Sequence, residues 1–258
     1  MPTLLNSEQR QAYERDGYIL IPSLFDKEEI GYLRTAMETD EQIRSHFYDR
    51  KDETGAPTKM ALWNHPGDSA YGLAARSNRV VDTMEDILSG EVYHYHSKLT
   101  AKDAYEGGAW EWHQDYGYWY ANGCLQVLKG SHAMGRIEHG ELANGQVGSE
   151  EVRTAEATKR LETVYAEMKA GDGLFFHCNT VHRSDQNRSP NRRWTLICCY
   201  NAARNDPYLD HHHPHYTPIE KVSDDAVRLA GAKHADTSES DAFMNKSYAP
   251  PEMKKAGA

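Results

Sequence analysis

The chain is poor in cysteine: Cys124, Cys178, Cys198 and Cys199 are the four in 258 residues. Two are adjacent and none forms a CxxC pair, which excludes a disulfide framework and a zinc ribbon and predicts reduced thiols. Long apolar runs are also missing, so no membrane span is expected. The N-terminal MPTLLNSEQRQ has no basic region ahead of an apolar stretch, and no secretory signal is expected either. Basic residues are in deficit, 29 against 39 acidic, for a net charge of -10. That balance argues against nucleic acid and anionic membranes as partners, and the reduced thiols suit a cytoplasmic protein. Phenylalanine is scarce at 5, whereas tyrosine (16) and histidine (14) are plentiful. Many of these lie between residues 93 and 120 and again between 177 and 216.

The length suffices for a sizeable core. With no repeat and no linker, residues 1–258 read as a single domain. Residues 7–16 read as a polar helix, and GYILIP at 17–22 as a strand stopped by Pro22. Asp26 with Glu29 forms a capping pair ahead of a helix carrying Ile30, Leu33 and Met37. Residues 40–70 read mostly as loop. Val80, Val81, Met84, Ile87 and Leu88 mark a helix ended by Gly90. Residues 1–90 are thus expected to be largely helical. From 91 the character changes to short strands: 91–102, 109–120, 124–132, 163–172, 173–177 and 194–200, with a helix over 149–162. Residues 91–205 form a β core, and 206–258 a C-terminal extension, polar and mobile from about 221. The fold class is mainly β with α, a sandwich or barrel with helical packing.

The densest chemistry is His113-Gln114-Asp115. On a strand, side chains alternate, so His113 and Asp115 share one side of the sheet. Two thirds of a 2-His-1-carboxylate iron site would then be in place. His182, just after the apolar strand GLFFH, is favoured as the second histidine over His177, which sits at the end of that run as a structural histidine would. Arg193 opens the strand WTLICCY, and its guanidinium can meet a carboxylate through two parallel donors. Arg192 would point the other way, to solvent.

WHQD, NGCLQVLKGSH, and GDGLFFHCNTVHRS followed by NRSPNRRWTLICCYN together resemble the phytanoyl-CoA dioxygenase family of iron(II)- and 2-oxoglutarate-dependent oxygenases, which includes the ectoine hydroxylases. Weaker similarity reaches back through HSKL at 96–99 to DGYILIP, so the resemblance covers roughly residues 10–205. It implies a double-stranded β-helix, or jelly roll, with helices packed on one sheet. It implies His113, Asp115 and His182 as iron ligands, Arg193 as the partner of the distal carboxylate of 2-oxoglutarate, and Ser184 beside that carboxylate. Lys98, with His96 and Thr100 nearby, falls where the family places co-substrate or substrate contacts. Three open positions on the metal would serve 2-oxoglutarate and dioxygen. Related halogenases carry a small residue at the position of Asp115, so the carboxylate points to hydroxylation. Neutral histidines are required for metal binding, so activity should fall at acid pH.

Aromatic residues crowd the triad. Trp110, Trp112, Tyr116 and Tyr120 read as core, with Tyr118 and Trp119 as candidates to line a substrate pocket. His211-His212-His213-Pro214-His215 reads as an exposed polar loop. One feature departs from the family. Only Ala121-Asn122-Gly123 separates the aromatic strand from CLQVLKGSH, where the family carries a further strand and loop. A naive reading is an Asn-Gly hairpin, and the expected consequence is a free sheet edge. Two other functions use the same ligands: a non-catalytic metal-binding jelly roll, and a cupin-like metal lyase or isomerase, which needs no Arg193.

Overall fold

The structure is a computed structural model that describes residues 5–115, 125–141, 147–149, 151–208 and 214–236. The first helix, α1 (Ser7–Asp16), begins at a capping box between Asn6 and Gln9 and ends on Gly17 at φ 81°. A side chain at Gly17 would collide with the His132 ring, so the turn needs glycine. β1 (Tyr18–Ile21) follows. α2 (Lys27–Thr39) starts at the reciprocal Asp26/Glu29 cap that the sequence announces.

Residues 40–70 are not mostly loop. They form α3 (Glu41–Ser45), β2 (Tyr48–Lys51) and β3 (Pro57–Trp63). The last four residues of β3 are all buried, so the strand lacks the alternation that betrays a half-buried strand. The first third is therefore helical only in part. α4 (Ala70–Arg76) and α5 (Asn78–Leu88) complete it.

β4 (Val92–Lys102) is the longest strand. After it come β5 (Trp110–His113), β6 (Leu125–Leu128), β7 (His139–Glu141), β8 (Val147–Ser149), α6 (Glu151–Arg160), β9 (Thr163–Ala166), β10 (Gly173–Phe176), β11 (His182–Ser184), β12 (Arg193–Ala202) and α7 (Ala226–Ala230). One antiparallel sheet runs β12-β4-β3-β2 and a second β5-β11-β6-β9, with β1 paired to β10 and β7 to β8.

The two four-stranded sheets face each other. Met60 and Leu62 of β3 pack against Trp110 of β5 between them. On its other face the first sheet presents Ala61, Trp63, Leu99 and Ala101 to Leu33, Ala36 and Met37 of α2, Ile43 of α3, and Tyr71 and Ala74 of α4. α6 covers the second sheet through Ala157, against Leu128 and Val181. This is a jelly roll, mainly β, with most helices on one sheet.

Residues 221–236 are tied down rather than mobile. Val227 is fully buried in the cluster beneath α2 and α4, and Ala70 N–H donates to the Lys233 carbonyl at 2.8 Å. Among the described residues no strand pairs with the second edge of β12, and that strand is half-buried over nearly its whole length despite its apolar sequence.

Candidate active site

Antiparallel pairing of β11 with β5 sets His182 opposite His113, and the two rings lie 4.1 Å apart between centroids. Asp115 joins them by a route the sequence reading did not foresee. β5 ends at His113, so Asp115 sits two residues past the strand. Its Oδ1 still lies 4.0 Å from His182 Nε2. The three candidate ligand atoms fall within 4.8 Å of one another.

Each ring is fixed by the carbonyl two residues before it. His113 Nδ1–H donates to Glu111 O at 2.7 Å, and His182 Nδ1–H to Thr180 O at 2.8 Å. That choice of tautomer leaves the lone pair on Nε2. Both Nε2 atoms are buried and have no hydrogen-bond partner. Buried polar atoms are nearly always satisfied, so two orphan lone pairs converging beside a carboxylate fit a divalent metal, with the carbonyls orienting the ligands from behind.

Burial, and then mutual proximity, pushes His113 well below the usual histidine range, and burial lowers His182 as well. Both are therefore neutral at pH 7, as metal ligation requires. Burial alone would raise Asp115; the Lys98 ammonium and the two rings outweigh it and hold the carboxyl at about 2.

Gln114, between two of these residues, is fully buried. Its Nε2 donates to Gly135 O at 2.9 Å and Asn179 O at 2.5 Å, its Oε1 accepts from Ile137 N–H at 2.8 Å, and its own N–H donates to His139 Nε2 at 2.9 Å. The residue that the alternating pattern directs away from the site thus bolts the ligand segment to two other loops. Its flanking candidate ligands were visible in the sequence; its role was not.

A second group of polar residues lies further along the inner face of the first sheet. Arg193 is the Cα partner of Lys102. Lys102 Nζ donates to Ser184 Oγ at 3.1 Å and to Asp185 O at 3.0 Å. Lys102 is fully buried, and burial, then the nearby Arg193 charge, lowers its pKa well below the usual lysine range. Two like charges gathered at one buried spot are a ready seat for an anion. The sequence reading passed over Lys102, although period two from His96 through Lys98 and Thr100 leads to it.

Lys98 stands elsewhere. It is 1 % exposed, with Nζ 3.7 Å from Asp115 Oδ1. Thr100 is fully buried on the same strand and His96 nearly so. His177 is outside the triad: its Nδ1 accepts from Asn179 N–H at 3.0 Å, and its ring lies 5.6 Å from that of His132. Arg192 is exposed, stacks on Trp194 at 5.0 Å and lies 3.7 Å from Glu38. Tyr118, Trp119, Cys124, the Ala121–Gly123 stretch and His211–His213 lie outside the described residues. His215 is exposed and meets Asp206 at 3.3 Å.

The chain resembles known proteins along most of its length. It is 28 % identical over 241 residues to the L-proline trans-4-hydroxylase of Streptomyces griseoviridis, covering 79 % of this chain and 88 % of that one. It is 25 % identical over 234 residues to the ectoine dioxygenase of Stutzerimonas stutzeri, covering 77 % and 78 %. Among solved structures, EctD from S. alaskensis with bound Fe superposes with a TM-score of 0.66 at 20 % identity, over 85 % of this chain and 88 % of that one. The non-heme alpha ketoglutarate dependent carbocyclase SnoK from nogalamycin biosynthesis gives 0.64 at 18 % identity, over 88 % and 98 %. No helix among the described residues is long and apolar enough to cross a membrane. The family model for phytanoyl-CoA dioxygenase matches residues 13–122 and 120–195, two segments that meet where the sequence is short. With a match over that span, the chain belongs to the phytanoyl-CoA dioxygenase family.

Proposed function

We propose that this protein is an iron(II)- and 2-oxoglutarate-dependent dioxygenase that hydroxylates a small organic molecule and converts 2-oxoglutarate to succinate and carbon dioxide. The observation that carries this reading is the pair of buried, unpartnered Nε2 atoms of His113 and His182 beside Asp115. In this reading those three residues hold iron(II), which with 2-oxoglutarate and dioxygen supplies the oxidising chemistry when bound.

The protein's own contribution is placement. Arg193 grips the distal carboxylate of 2-oxoglutarate with its forked guanidinium, Lys102 adds a second cation, and Ser184, whose Oγ accepts from Lys102 Nζ, adds a hydroxyl beside them. The Glu111 and Thr180 carbonyls keep the ligand histidines in the binding tautomer. The ring of Phe176, 5.0 Å from that of His182, helps wall the site from water. Tyr118 and Trp119 are our candidates for substrate contact. The curated relatives named above are named for proline and ectoine, which supports a small-molecule substrate. The paired cations at Lys102 and Arg193 favour an oxo-acid enzyme over a lyase or isomerase built on the same ligands. The free thiols of Cys178, Cys198 and Cys199 fit a cytoplasmic setting, and the net charge of -10 fits a protein without nucleic-acid partners.

Anaerobic addition of iron(II) and then 2-oxoglutarate should produce a weak visible charge-transfer band. His113→Ala and His182→Ala should abolish both the band and metal binding. Absence of the band in the parent protein, with no succinate formed under air, would refute the assignment.

A further inference from the structure

Lys102 and Arg193 stand at the end of the first sheet. β4 stops at Lys102 and β12 starts at Arg193, so their pairing is the last rung of that ladder. On the other side of β4, pairing with β3 has stopped one residue earlier, at Ala101. Strand ends open more readily than strand centres. A seat that must close two side chains on one carboxylate therefore needs something beyond the ladder to fix it.

Asn187 supplies it. The residue is buried in the loop that joins β11 to β12. Its Nδ2 lies 3.2 Å from Lys102 O, 3.0 Å from Asp103 O and 2.8 Å from Asn191 O, so two amide protons are shared among three carbonyls. Its Oδ1 accepts from Ser189 N–H at 3.1 Å and from Ser189 Oγ–H at 2.7 Å, and its own N–H donates to Gly107 O at 2.8 Å. One side chain thus ties the last residue of β4 to the residue two before Arg193. The loop holds Lys102 at both ends, because Ser184 Oγ and Asp185 O accept from its ammonium. Gly107 packs on the stem between them, where a Cβ would collide with Lys102 Cβ. The same loop runs from the strand that carries His182 to the strand that carries Arg193, so its shape sets the distance from the triad to the anchor.

We propose that Asn187 is the positioning residue of the co-substrate seat: its amide holds Lys102 and Arg193 at the separation, and at the distance from the triad, that select a five-carbon oxo-diacid. This rests on the oxygenase reading above. Asn187 acts through backbone carbonyls, since both ends of its amide are used within the loop and at the strand end.

The test uses the whole chain and three affinities. Manganese(II) binding without co-substrate reads the triad. The visible band of the anaerobic iron(II) protein reads 2-oxoglutarate and, separately, 2-oxoadipate, which is one methylene longer. Asn187→Ala should weaken 2-oxoglutarate at least about ten-fold, leave manganese(II) within about three-fold, and narrow the preference for 2-oxoglutarate over 2-oxoadipate at least about three-fold. Tyr71→Phe controls for lost stability alone. It removes a buried bond from the Tyr71 hydroxyl to Leu33 O at 2.6 Å, on the helix-covered face of the same sheet, and should leave all three affinities unchanged. Asn187→Asp decides the matter if the alanine variant fails to fold. Its second oxygen faces the three carbonyls and can donate only when protonated, so its 2-oxoglutarate deficit relative to the parent should be smaller at pH 6 than at pH 8. The proposal is overturned if Asn187→Ala binds 2-oxoglutarate as the parent does, if its manganese(II) affinity falls in parallel, if its chain-length preference stays put, or if the Asn187→Asp deficit is absent or the same at both pH values. A parent protein with no band at all instead sinks the oxygenase reading beneath it.

Discussion

Gln114→Glu is the sharpest perturbation of the site, because it keeps the side-chain volume and changes only which atoms can donate. Gln114 Nε2 gives two buried hydrogen bonds, to Gly135 O and Asn179 O. In the variant an oxygen faces those two carbonyls, while the bond from Ile137 N–H to Oε1 survives. Each buried group left unsatisfied costs about 1–3 kcal/mol, so the two together should remove about 2–6 kcal/mol from a total that for folded proteins is on the order of 5–15 kcal/mol. For a chain of this size the melting temperature should fall by roughly 10 °C. The new carboxyl should also have a raised folded-state pKa, since its neutral form can donate to one carbonyl. The destabilisation is then smallest below the unfolded carboxyl value of about 4.3 and grows as pH rises above it. Circular-dichroism melts of metal-free protein at pH 5 and pH 7.5 would measure both effects. Metal affinity should drop about ten- to a hundred-fold, because the ligands on either side lose their anchor. A melting temperature within two degrees of the parent at both pH values would refute the argument.

Two further outcomes follow from the buried charges. Metal-free Lys102→Met should melt at or above the parent, since a buried lysine beside Arg193 opposes folding, yet its 2-oxoglutarate affinity, read by the charge-transfer band, should fall at least ten-fold; a lower melting point with unchanged affinity would contradict the assigned seat. Stability of the metal-free protein should fall on acidification through about pH 6.5, because burial holds His94 at about 3 and lowers His113 and His182 while the unfolded histidines still protonate near 6.5. His94 alone should remove about 2 kcal/mol between pH 6.5 and pH 5, and saturating manganese(II) should oppose the loss near neutrality; a flat melting profile from pH 7 to pH 5 would count against both.

What the sequence made legible was whatever is encoded locally. The Asp26/Glu29 cap, the strand at 91–102 and the candidate ligands His113 and Asp115 are short-range patterns, and each can be read without knowing its neighbours. β3 was missed because its strand character comes from burial against β4 and the helices, which only the tertiary fold supplies, and β2 because it is a short, half-exposed edge strand defined by its pairing with β3. Gln114 and Lys102 were missed for a related reason. Nothing in either residue's immediate sequence shows that its partners are carbonyls at 135 and 179 or a serine at 184. Over residues 221–236 the expected mobility is not found, because a polar stretch can still be held by one buried valine and a few backbone bonds.

The described chemistry is assembled from segments other than Ala121–Gly123. Among the described residues, the polar groups of the site come from β4, from β5 and the two residues after it, from β11, and from β12. None of these pairings runs through residues 121–123. The first sheet keeps its order β12-β4-β3-β2, with ten paired positions between β12 and β4 holding Arg193 opposite Lys102. Among the described residues no strand pairs with the far side of β12. There Trp194, Leu196, Ile197, Cys199 and Tyr200 are half-buried although their strand is apolar. An unpaired edge of that kind weakens local stability and invites association before it disturbs a ligand whose position is fixed by pairing elsewhere. With the proposed ligands on β5 and β11 and the proposed 2-oxoglutarate anchor at the start of β12, metal binding should accordingly survive mild denaturant better than 2-oxoglutarate binding.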